Sequence, residues 1–254
     1  MIKKQKSLNL NYLRTEKDYL NFFKVKKPVN KNVIDLFCGC GGLSLGFKRA
    51  GFNIISGIDF DNASLKSYES NINSSALKLN LQKNDWLNYL PSNIKNKKID
   101  ILIGGPPCQG FSITGTRIFD DPRNKLYNAF FSAIKYFHPP IVLIENVKGM
   151  KNLYKGKAIN KIILELNLLG YDAKFNILNS AYFGVPQYRE RLFILAYKNI
   201  DNIRLPNDLM NSDLVTTSMA ISDLPKLTNT LGKEEMEYNN KPSNYYQKIM
   251  REES

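Results

Sequence analysis

The sequence has 254 residues, of which 43% are hydrophobic and 23% are charged. These values are typical of a soluble protein with one main α/β body and smaller appendages. No apolar run reaches the ~20 residues of a membrane-spanning helix, and Met1 is followed by polar residues rather than by a hydrophobic signal region. We therefore expect a cytoplasmic protein with no membrane partner.

The scarcity of histidine and cysteine argues against several kinds of site. His138 is the only histidine, so neither a multi-histidine metal site nor a serine hydrolase triad is expected. The three cysteines, Cys38, Cys40 and Cys108, are too few for a disulfide framework. Cys38 and Cys40 have the spacing of a metal-binding pair, but no second pair of ligands accompanies them, so we expect no metal.

The net charge of +13 indicates a polyanionic partner. Residues 1–32 carry +7, residues 33–200 carry +9 and residues 201–254 carry −3. The sequence therefore predicts a basic N-terminal arm over 1–32, a main domain over 33–200 and an extended tail over 201–254. The arm is either a solvated, frayed segment or a contact to nucleic acid, and the charge alone favours neither.

Strands and helices alternate along the main domain. Six β-branched, apolar runs predict strands at residues 33–37, 53–59, 99–105, 141–147, 174–179 and 191–197. Four stretches predict helices at residues 43–50, 62–71, 125–137 and 158–169, with Asn62 and Asn124 as N-caps and Gly51 and Gly170 at helix ends. This alternation predicts an α/β fold with a doubly wound, mostly parallel sheet. The last link, residues 180–190, is too short for a helical crossover and predicts an antiparallel last strand pair.

A glycine-rich turn, Asp-Leu-Phe-Cys-Gly-Cys-Gly-Gly at residues 35–42, joins the first strand to the first helix. The third glycine of a dinucleotide fingerprint would fall at Ser44, so a pyrophosphate site is not supported. Asp59 ends the second strand, where a carboxylate can bind both ribose hydroxyls, and Phe60 could face an adenine ring. The turn therefore predicts a nucleoside cofactor without phosphates, such as S-adenosylmethionine. Asp35 and the helix N-terminus would bind the charged groups of its methionine end. A purely structural turn is the alternative.

Cys108 lies in the segment Gly-Gly-Pro-Pro-Cys-Gln-Gly-Phe-Ser, residues 104–112, after the third predicted strand. The two prolines fix the backbone on the approach to the thiol, which favours a nucleophile over a buried apolar filler. A thiol with the ordinary pKa of about 8.5 needs either a lowered pKa or a proton acceptor in order to attack.

Charged residues are predicted at the same edge of the sheet. Glu145 follows a buried run on the fourth predicted strand, so it is not simply part of a solvated surface. Arg189 and Arg191 lie around the start of the sixth predicted strand. Arginines in a turn are commonly surface residues, and position alone assigns them no function.

Taken together, these motifs resemble those of the C5-cytosine DNA methyltransferases. Residues 35–42 are similar to the cofactor motif of that family, residues 105–112 to its catalytic motif, residues 145–147 to its glutamate motif and residues 187–191 to its Q-x-R-x-R motif. The motifs follow the family's order over about residues 33–200, which makes this region the expected S-adenosylmethionine-binding catalytic domain. The resemblance implies a bacterial, cytoplasmic restriction-modification enzyme.

The resemblance also implies a mechanism. Cys108 would add to C6 of cytosine, C5 would take the methyl group and leave S-adenosylhomocysteine, and Cys108 would be eliminated after the C5 proton departs. Glu145, protonated or sharing a proton, would bind N3 and the exocyclic amine, while Arg191 and Arg189 would hold O2 and the flanking phosphates. The base must be flipped out of double-stranded DNA, because C6 is inaccessible inside a duplex.

The expected cofactor pocket combines Asp35 with the positions that match the family's pocket. These are Phe37, Gly39, Gly42, Leu43, Asp59, Phe60, Asn80, Leu81, Pro107 and Leu126. Asn80 departs from the family pattern, which usually has an aspartate there to bind the adenine amine.

A further departure lies at the end of the sequence. Family members continue into a target-recognition domain and final motifs, whereas this sequence stops at Ser254. We expect a second protein chain to carry those parts, which would make this chain the catalytic half of a split methyltransferase. A truncated piece and a degenerate remnant are the alternatives. Two rival functions are a non-catalytic DNA-binding or regulatory subunit and, from the variable positions Gly110 and Ser112, a less favoured tRNA methyltransferase.

Overall fold

The computed structural model describes residues 26–107, 125–200, 203–206, 214–226, 235–238 and 240–252. The chain divides into two compact units. The larger unit consists of Val25–Leu178 and Glu190–Pro206, and the smaller includes Asn179–Arg189 and Asn207–Ser254. Within the ranges described, no helix is both long and apolar enough to cross a membrane.

The larger unit is built on a seven-stranded sheet with the order β3-β2-β1-β4-β5-β7-β6. Its strands are β1 (Val29–Leu36), β2 (Phe52–Asp59), β3 (Ala76–Lys78), β4 (Ile101–Gly104), β5 (Ile141–Val147), β6 (Asp172–Asn179) and β7 (Glu190–Tyr197). β1 pairs in parallel with β2 and β4, β2 with β3, and β4 with β5, whereas β7 is antiparallel to β5. The mostly parallel sheet with an antiparallel strand pair is confirmed. The sequence does not predict that β7 inserts between β5 and β6.

Helices cover both faces of the sheet. They are α1 (Gly42–Arg49), α2 (Asn62–Ile72), α3 (Ser92–Lys95), α4 (Lys125–Phe137) and α5 (Lys157–Leu168), with 3₁₀ turns at Trp86–Tyr89 and Lys148–Lys151. Residues of α1 and α2 pack with Val33 and Ile101, whereas residues of α4 and α5 pack with Ile34 and Leu102. Neighbouring residues of a strand point to opposite faces, so the two helix pairs lie on opposite sides of the sheet.

The helix ends differ from the predictions in one detail. Asp61 rather than Asn62 is the N-cap of α2, and its Oδ2 accepts a hydrogen bond of 2.7 Å from the backbone N–H of Ser64. Gly51 and Gly170 have the left-handed backbone expected of glycines that end helices, with φ of 91° and 84°. The predicted cap Asn124 lies outside the described residues. β3 was not predicted from the sequence, because three partly exposed residues give no readable alternation.

Two helices lie in the part of the chain that the sequence predicts to be an extended tail. They are α6 (Thr217–Ile221) and α7 (Tyr245–Glu252), and they belong to the smaller unit. A small buried apolar cluster joins them, formed by Val215, Ala220, Tyr246 and Ile249. With five and eight residues, these helices are shorter than the stretch over which a helical period is read from a sequence.

A buried carboxylate also holds these two helices together. The guanidinium of Arg251 donates to Oδ1 and Oδ2 of Asp223 at 2.8 and 3.1 Å, and the hydroxyl of Tyr238 donates to Oδ2 at 2.7 Å. The side chain of Asp223 is fully buried. Because a buried charge needs such partners, this network fixes the local arrangement of α6 and α7.

Candidate active site

Asp35 lies near the end of β1 and is 1% exposed. Its Oδ2 accepts a hydrogen bond of 2.7 Å from the hydroxyl of Ser44 in α1. The hydroxyl of Tyr68 lies 2.9 Å from Ser44 Oγ, and since the Ser44 proton is committed to Asp35, Tyr68 donates. Oδ1 of Asp35 is buried and has no partner in the structure. This oxygen is therefore an unsatisfied acceptor, because no described residue donates a hydrogen bond to it.

Burial raises the pKa of Asp35 to about 7, against the opposing hydrogen bonds from Ser44. The negative charge of nearby Asp59 adds to the rise in pKa. Asp35 thus changes its ionisation close to neutral pH, where an incoming cation would favour the charged form.

Asp59 ends β2 beside the glycine-rich turn. Its Oδ2 accepts a hydrogen bond of 2.9 Å from the N–H of Gly39, and its Oδ1 accepts from the N–H groups of Phe60 and Asp61 at 2.6 and 3.1 Å. The carboxylate is only half-buried, and the side chain of Phe60 is 64% exposed. Asp59 therefore fixes the turn while remaining open on one side, as the predicted ribose contact requires.

The residues present fit a nucleoside cofactor with a methionine end. A Cβ added at Gly39 or Gly42 would meet no atom within 4 Å, so the turn faces open space. The φ of 51° at Gly39 also favours glycine. The unpartnered Oδ1 of Asp35 suits an ammonium group, and Asp59 suits a ribose.

The other predicted cofactor residues differ in their exposure. Phe37, Leu43, Asn80 and Leu126 are partly buried, and Pro107 is exposed. Asn80 Oδ1 accepts a hydrogen bond of 3.0 Å from the N–H of Gln82. Leu81 is 4% exposed and belongs to the main apolar core, so its side chain has a packing role. Their predicted contacts with a cofactor stay predictions.

Glu145 and Arg191 meet at the carboxyl edge of β5. Nε of Arg191 lies 3.0 Å from Oε1 of Glu145, and the two side chains are 25% and 26% exposed. The antiparallel register places Arg191 opposite Val147, two residues beyond Glu145. A Cβ added at Gly105 would lie 3.0 Å from Oε2 of Glu145, so this carboxylate lies against the segment that leads to Cys108.

Asn146 is a further residue of this edge that the sequence did not single out as functional. It is 5% exposed, and its Nδ2 donates to the carbonyl of Pro106 at 2.9 Å and to the hydroxyl of Tyr127 at 2.8 Å. Its Oδ1 accepts from the N–H of Val147 at 2.8 Å. Asn146 thereby fixes the backbone two residues before Cys108. The signal was its position after Glu145, on the opposite, buried face of the strand.

The remaining predicted residues are the predicted nucleophile, one arginine and the two cysteines of the glycine-rich turn. Cys108 lies outside the described residues, so its role stays a prediction from the sequence. Arg189 has an exposed side chain, while its backbone N–H donates to Oδ1 of Asn179 at 3.2 Å. Cys38 is buried and Cys40 is exposed. Burial, together with the charges of Asp35 and Asp59, raises the pKa of the Cys38 thiol, so it is an inert packing residue.

Comparisons with known proteins support the resemblance. The family model described as C-5 cytosine-specific DNA methylase matches residues 31–254. The chain belongs to this family. The Type II methyltransferase M.DdeI of Desulfomicrobium norvegicum is 38% identical over 234 residues, which cover 88% of this chain and 55% of that protein. The crystal structure of an Escherichia coli prophage protein described as a DNA modification methyltransferase superposes with a TM-score of 0.59 at 32% identity, covering 78% of this chain and 56% of the other.

Coverage differs among the relatives of this family member. The chain spans about half the length of several curated relatives, including M.DdeI. The Type II methyltransferase M.AquIA of Picosynechococcus is instead matched over 91% of its own length, at 32% identity and 79% coverage of this chain. Relatives of this chain therefore exist both at similar length and much longer. The structural similarity assigns the fold to the S-adenosylmethionine-dependent methyltransferase class.

Proposed function

We propose that this chain transfers a methyl group from S-adenosylmethionine to C5 of a cytosine flipped out of duplex DNA. The observation that carries the proposal is the pair formed by Glu145 and Arg191, 3.0 Å apart, against the backbone that leads to Cys108. An acid and a guanidinium at one edge can bind the N3 side and the O2 side of the same pyrimidine. Membership of the C-5 cytosine-specific DNA methylase family supports the choice of substrate.

Cytosine C5 is a weak nucleophile, so the ring must first be activated. The sulfur of Cys108 forms a bond to C6, and the electrons of the C5–C6 double bond move toward C5 and the N3 side of the ring. Glu145 holds a proton at N3 and accepts a hydrogen bond from the exocyclic amine, while Arg191 stabilises negative charge at O2. Both groups are thus most effective when the ring carries the added sulfur.

S-adenosylmethionine supplies an electrophilic methyl group when it is bound. The C5 electron pair would form a bond to the methyl carbon as the methyl–sulfur bond breaks and S-adenosylhomocysteine leaves. The proton on C5 then goes to a base, and the bond between C6 and the cysteine sulfur breaks. Cys108 recovers its electron pair as a thiolate. Asp35 would bind the ammonium of the methionine end, and Asp59 would bind the ribose hydroxyls, which fixes the donor relative to the sheet edge.

Extrusion of the target base also requires contacts to the surrounding DNA. Flipping the base costs a few kcal/mol, which contacts to the base and the phosphates must offset. The exposed Arg189 is suited to a phosphate near the target.

We place the reaction in the cytoplasm of a bacterium, as for a restriction-modification enzyme, because a similar relative is a Type II methyltransferase from Desulfomicrobium norvegicum.

We further propose that a second polypeptide supplies target recognition. The match to M.AquIA over 91% of its length supports this, since a Type II methyltransferase of comparable length exists. The longer relatives, such as M.DdeI, indicate how much chain a partner would add.

The test is methyl transfer with S-adenosylmethionine, alone and with the protein encoded next to this chain. Duplex DNA and tRNA serve as separate acceptors, and the product nucleosides are identified by mass spectrometry. The proposal expects 5-methylcytosine in DNA and none with the Cys108→Ala variant. Methylation of tRNA alone would identify an RNA enzyme. Binding of DNA and cofactor without methyl transfer, in both arms, would identify a regulatory subunit.

A further inference from the structure

A strongly basic segment follows β5 directly. Residues 148–157 read Lys-Gly-Met-Lys-Asn-Leu-Tyr-Lys-Gly-Lys, and no acidic residue occurs between positions 146 and 164. The four lysines, Lys148, Lys151, Lys155 and Lys157, are all exposed. We call these four side chains the basic surface.

The basic surface borders the candidate active site. The 3₁₀ turn Lys148–Lys151 begins one residue after β5 ends, and Glu145 lies three residues before Lys148. In a 3₁₀ turn the side chains at positions i and i+3 lie one above the other, so Lys148 and Lys151 project on the same side. The positive charge is therefore concentrated at the carboxyl edge of the sheet, where Glu145 and Arg191 meet.

The segment has a defined conformation. Tyr154, Lys155 and Gly156 are left-handed in succession, with φ of 52°, 56° and 81°. For the first two residues this backbone costs roughly 1–2 kcal/mol each. Backbone hydrogen bonds hold it, from Lys155 N–H to Asn152 O at 2.9 Å and from Gly156 N–H to Leu153 O at 3.2 Å. The side chain of Met150 is buried in the main apolar core and anchors the segment there. The backbone that carries the lysines is thus ordered, which lowers the backbone part of the entropic cost of binding.

Some lysines of the described chain lie beside carboxylates, whereas three of the basic surface do not. Lys31 and Lys98 lie near Asp100, and Lys174 lies near Asp172. In the basic surface, Lys148 pairs with Glu190 at 2.6 Å. Lys151, Lys155 and Lys157 form no ion pair with any carboxylate in the described ranges. Three lysines without a carboxylate partner, on an ordered segment that follows β5, indicate a polyanion as the partner.

We propose that the basic surface binds the phosphate backbone of the DNA duplex beside the flipped cytosine. This inference rests on the proposed function, because that function places DNA at this edge. Lys151, Lys155 and Lys157 would each neutralise one phosphate, which contributes affinity without sequence preference. Binding at this position would also hold the duplex against the site while the base is extruded.

The experiment compares two triple variants in duplex binding, measured by fluorescence anisotropy over a series of salt concentrations. The first is Lys151→Gln, Lys155→Gln and Lys157→Gln in one chain. The matched control is Lys95→Gln, Lys97→Gln and Lys98→Gln, which removes the same charge just before β4, at the opposite edge of the sheet. Binding of S-adenosylhomocysteine and thermal unfolding report whether each variant is folded.

The slope of log K against log salt is expected to be less steep in the basic-surface variant by about 2–3, because each lost phosphate contact removes about 0.9 from its magnitude. The control variant is expected to leave the slope near that of the wild type. Equal slopes in all three proteins, or an equal loss of slope in both variants, would contradict DNA binding by the basic surface. Neither result would bear on methyl transfer. A wild-type chain that binds no duplex would overturn it too, whereas the methylation assay decides the proposed function separately.

Discussion

Nε of Arg191 lies 3.0 Å from Oε1 of Glu145, and each side chain is about one quarter exposed, at 25% and 26%. An ion pair this accessible contributes about 0–1 kcal/mol to stability. The pair lies between β5 and β7, next to the segment that leads to the predicted nucleophile Cys108. Substrate binding therefore explains its position better than folding does.

Replacing Glu145 with glutamine should lower the rate of methyl transfer while leaving the fold intact. The amide can donate a hydrogen bond to N3 but cannot transfer a proton to it, so the activated ring keeps more of its negative charge, and the rate should fall by about 10²–10³-fold. Single-turnover methylation measures the rate, and thermal unfolding measures stability. The control Glu69→Gln, on the exposed side of α2, should change neither. A Glu145→Gln chain with unchanged turnover would remove Glu145 from the mechanism.

Replacing Asn146 with alanine should slow attack by Cys108 without weakening cofactor binding. The change leaves the carbonyl of Pro106 without its donor, which costs about 1–3 kcal/mol and frees the approach to the nucleophile. Tyr127→Phe removes the hydroxyl that Asn146 contacts but leaves the hydrogen bond to the Pro106 carbonyl, and it should have a smaller effect. The rate of adduct formation with a 5-fluorocytosine duplex and the Kd of S-adenosylhomocysteine are the two readouts. Parallel losses in both would indicate a general structural role instead.

Cofactor affinity should rise with pH in a way that depends on Asp35. The pKa of this carboxyl is raised to about 7, and its ionised form is the one that binds an ammonium group. Calorimetric titration of S-adenosylmethionine on both sides of pH 7 should therefore show tighter binding at the higher pH. Asp35→Asn should bind more weakly and lose this added dependence, and any pH effect shared by both proteins belongs to the ligand. Identical profiles would exclude Asp35 as the ammonium partner.

The same carboxyl should affect the stability of the protein without cofactor. The pKa of Asp35 rises on folding from 3.8 to about 7, so the folded state holds a proton that the unfolded state loses. The contribution of Asp35 to stability should therefore fall as pH rises through that window and level off above it. Asp35→Asn should gain relative stability over the same window, by roughly 4 kcal/mol at most, since each pKa unit is worth about 1.4 kcal/mol. Urea unfolding of both proteins measures the difference.

Removing Arg251 should loosen the smaller unit selectively. Arg251→Ala removes the guanidinium that donates to both oxygens of the buried Asp223 carboxylate, and breaking a buried pair in this way costs about 3–5 kcal/mol. Hydrogen exchange should accelerate in α6 and α7 and stay unchanged in β1 and β4. The surface change Lys248→Ala in α7 serves as the control. Faster exchange throughout the sheet would contradict an independent role for this network.

The sequence predicts best those features that depend on neighbouring residues. Asp35 and Asp59 were placed correctly at strand ends, because the end of a parallel strand is set by its own apolar run. The contact between Glu145 and Arg191 was not predictable in the same way. It depends on β7 inserting beside β5, and this pairing joins residues far apart in the chain.

Other features were missed for related reasons. Asn146 acts through its burial against Pro106 and Tyr127, and burial on the inner face of β5 cannot be read from its residue type. The helices α6 and α7 have only five and eight residues, which is shorter than the stretch over which a helical period is read, and a polar network around Asp223 helps to hold them.

The covalent bond between Cys108 and cytosine is tested most directly with a duplex that carries 5-fluorocytosine at the methylated position. Fluorine at C5 cannot leave as a proton does, so the enzyme remains attached after methyl transfer. With S-adenosylmethionine and the polypeptide that supplies target recognition, the account predicts a protein–DNA adduct on a denaturing gel, absent for Cys108→Ser. A chain that methylates DNA yet forms no adduct, or a Cys108→Ser chain that still forms one, would contradict it.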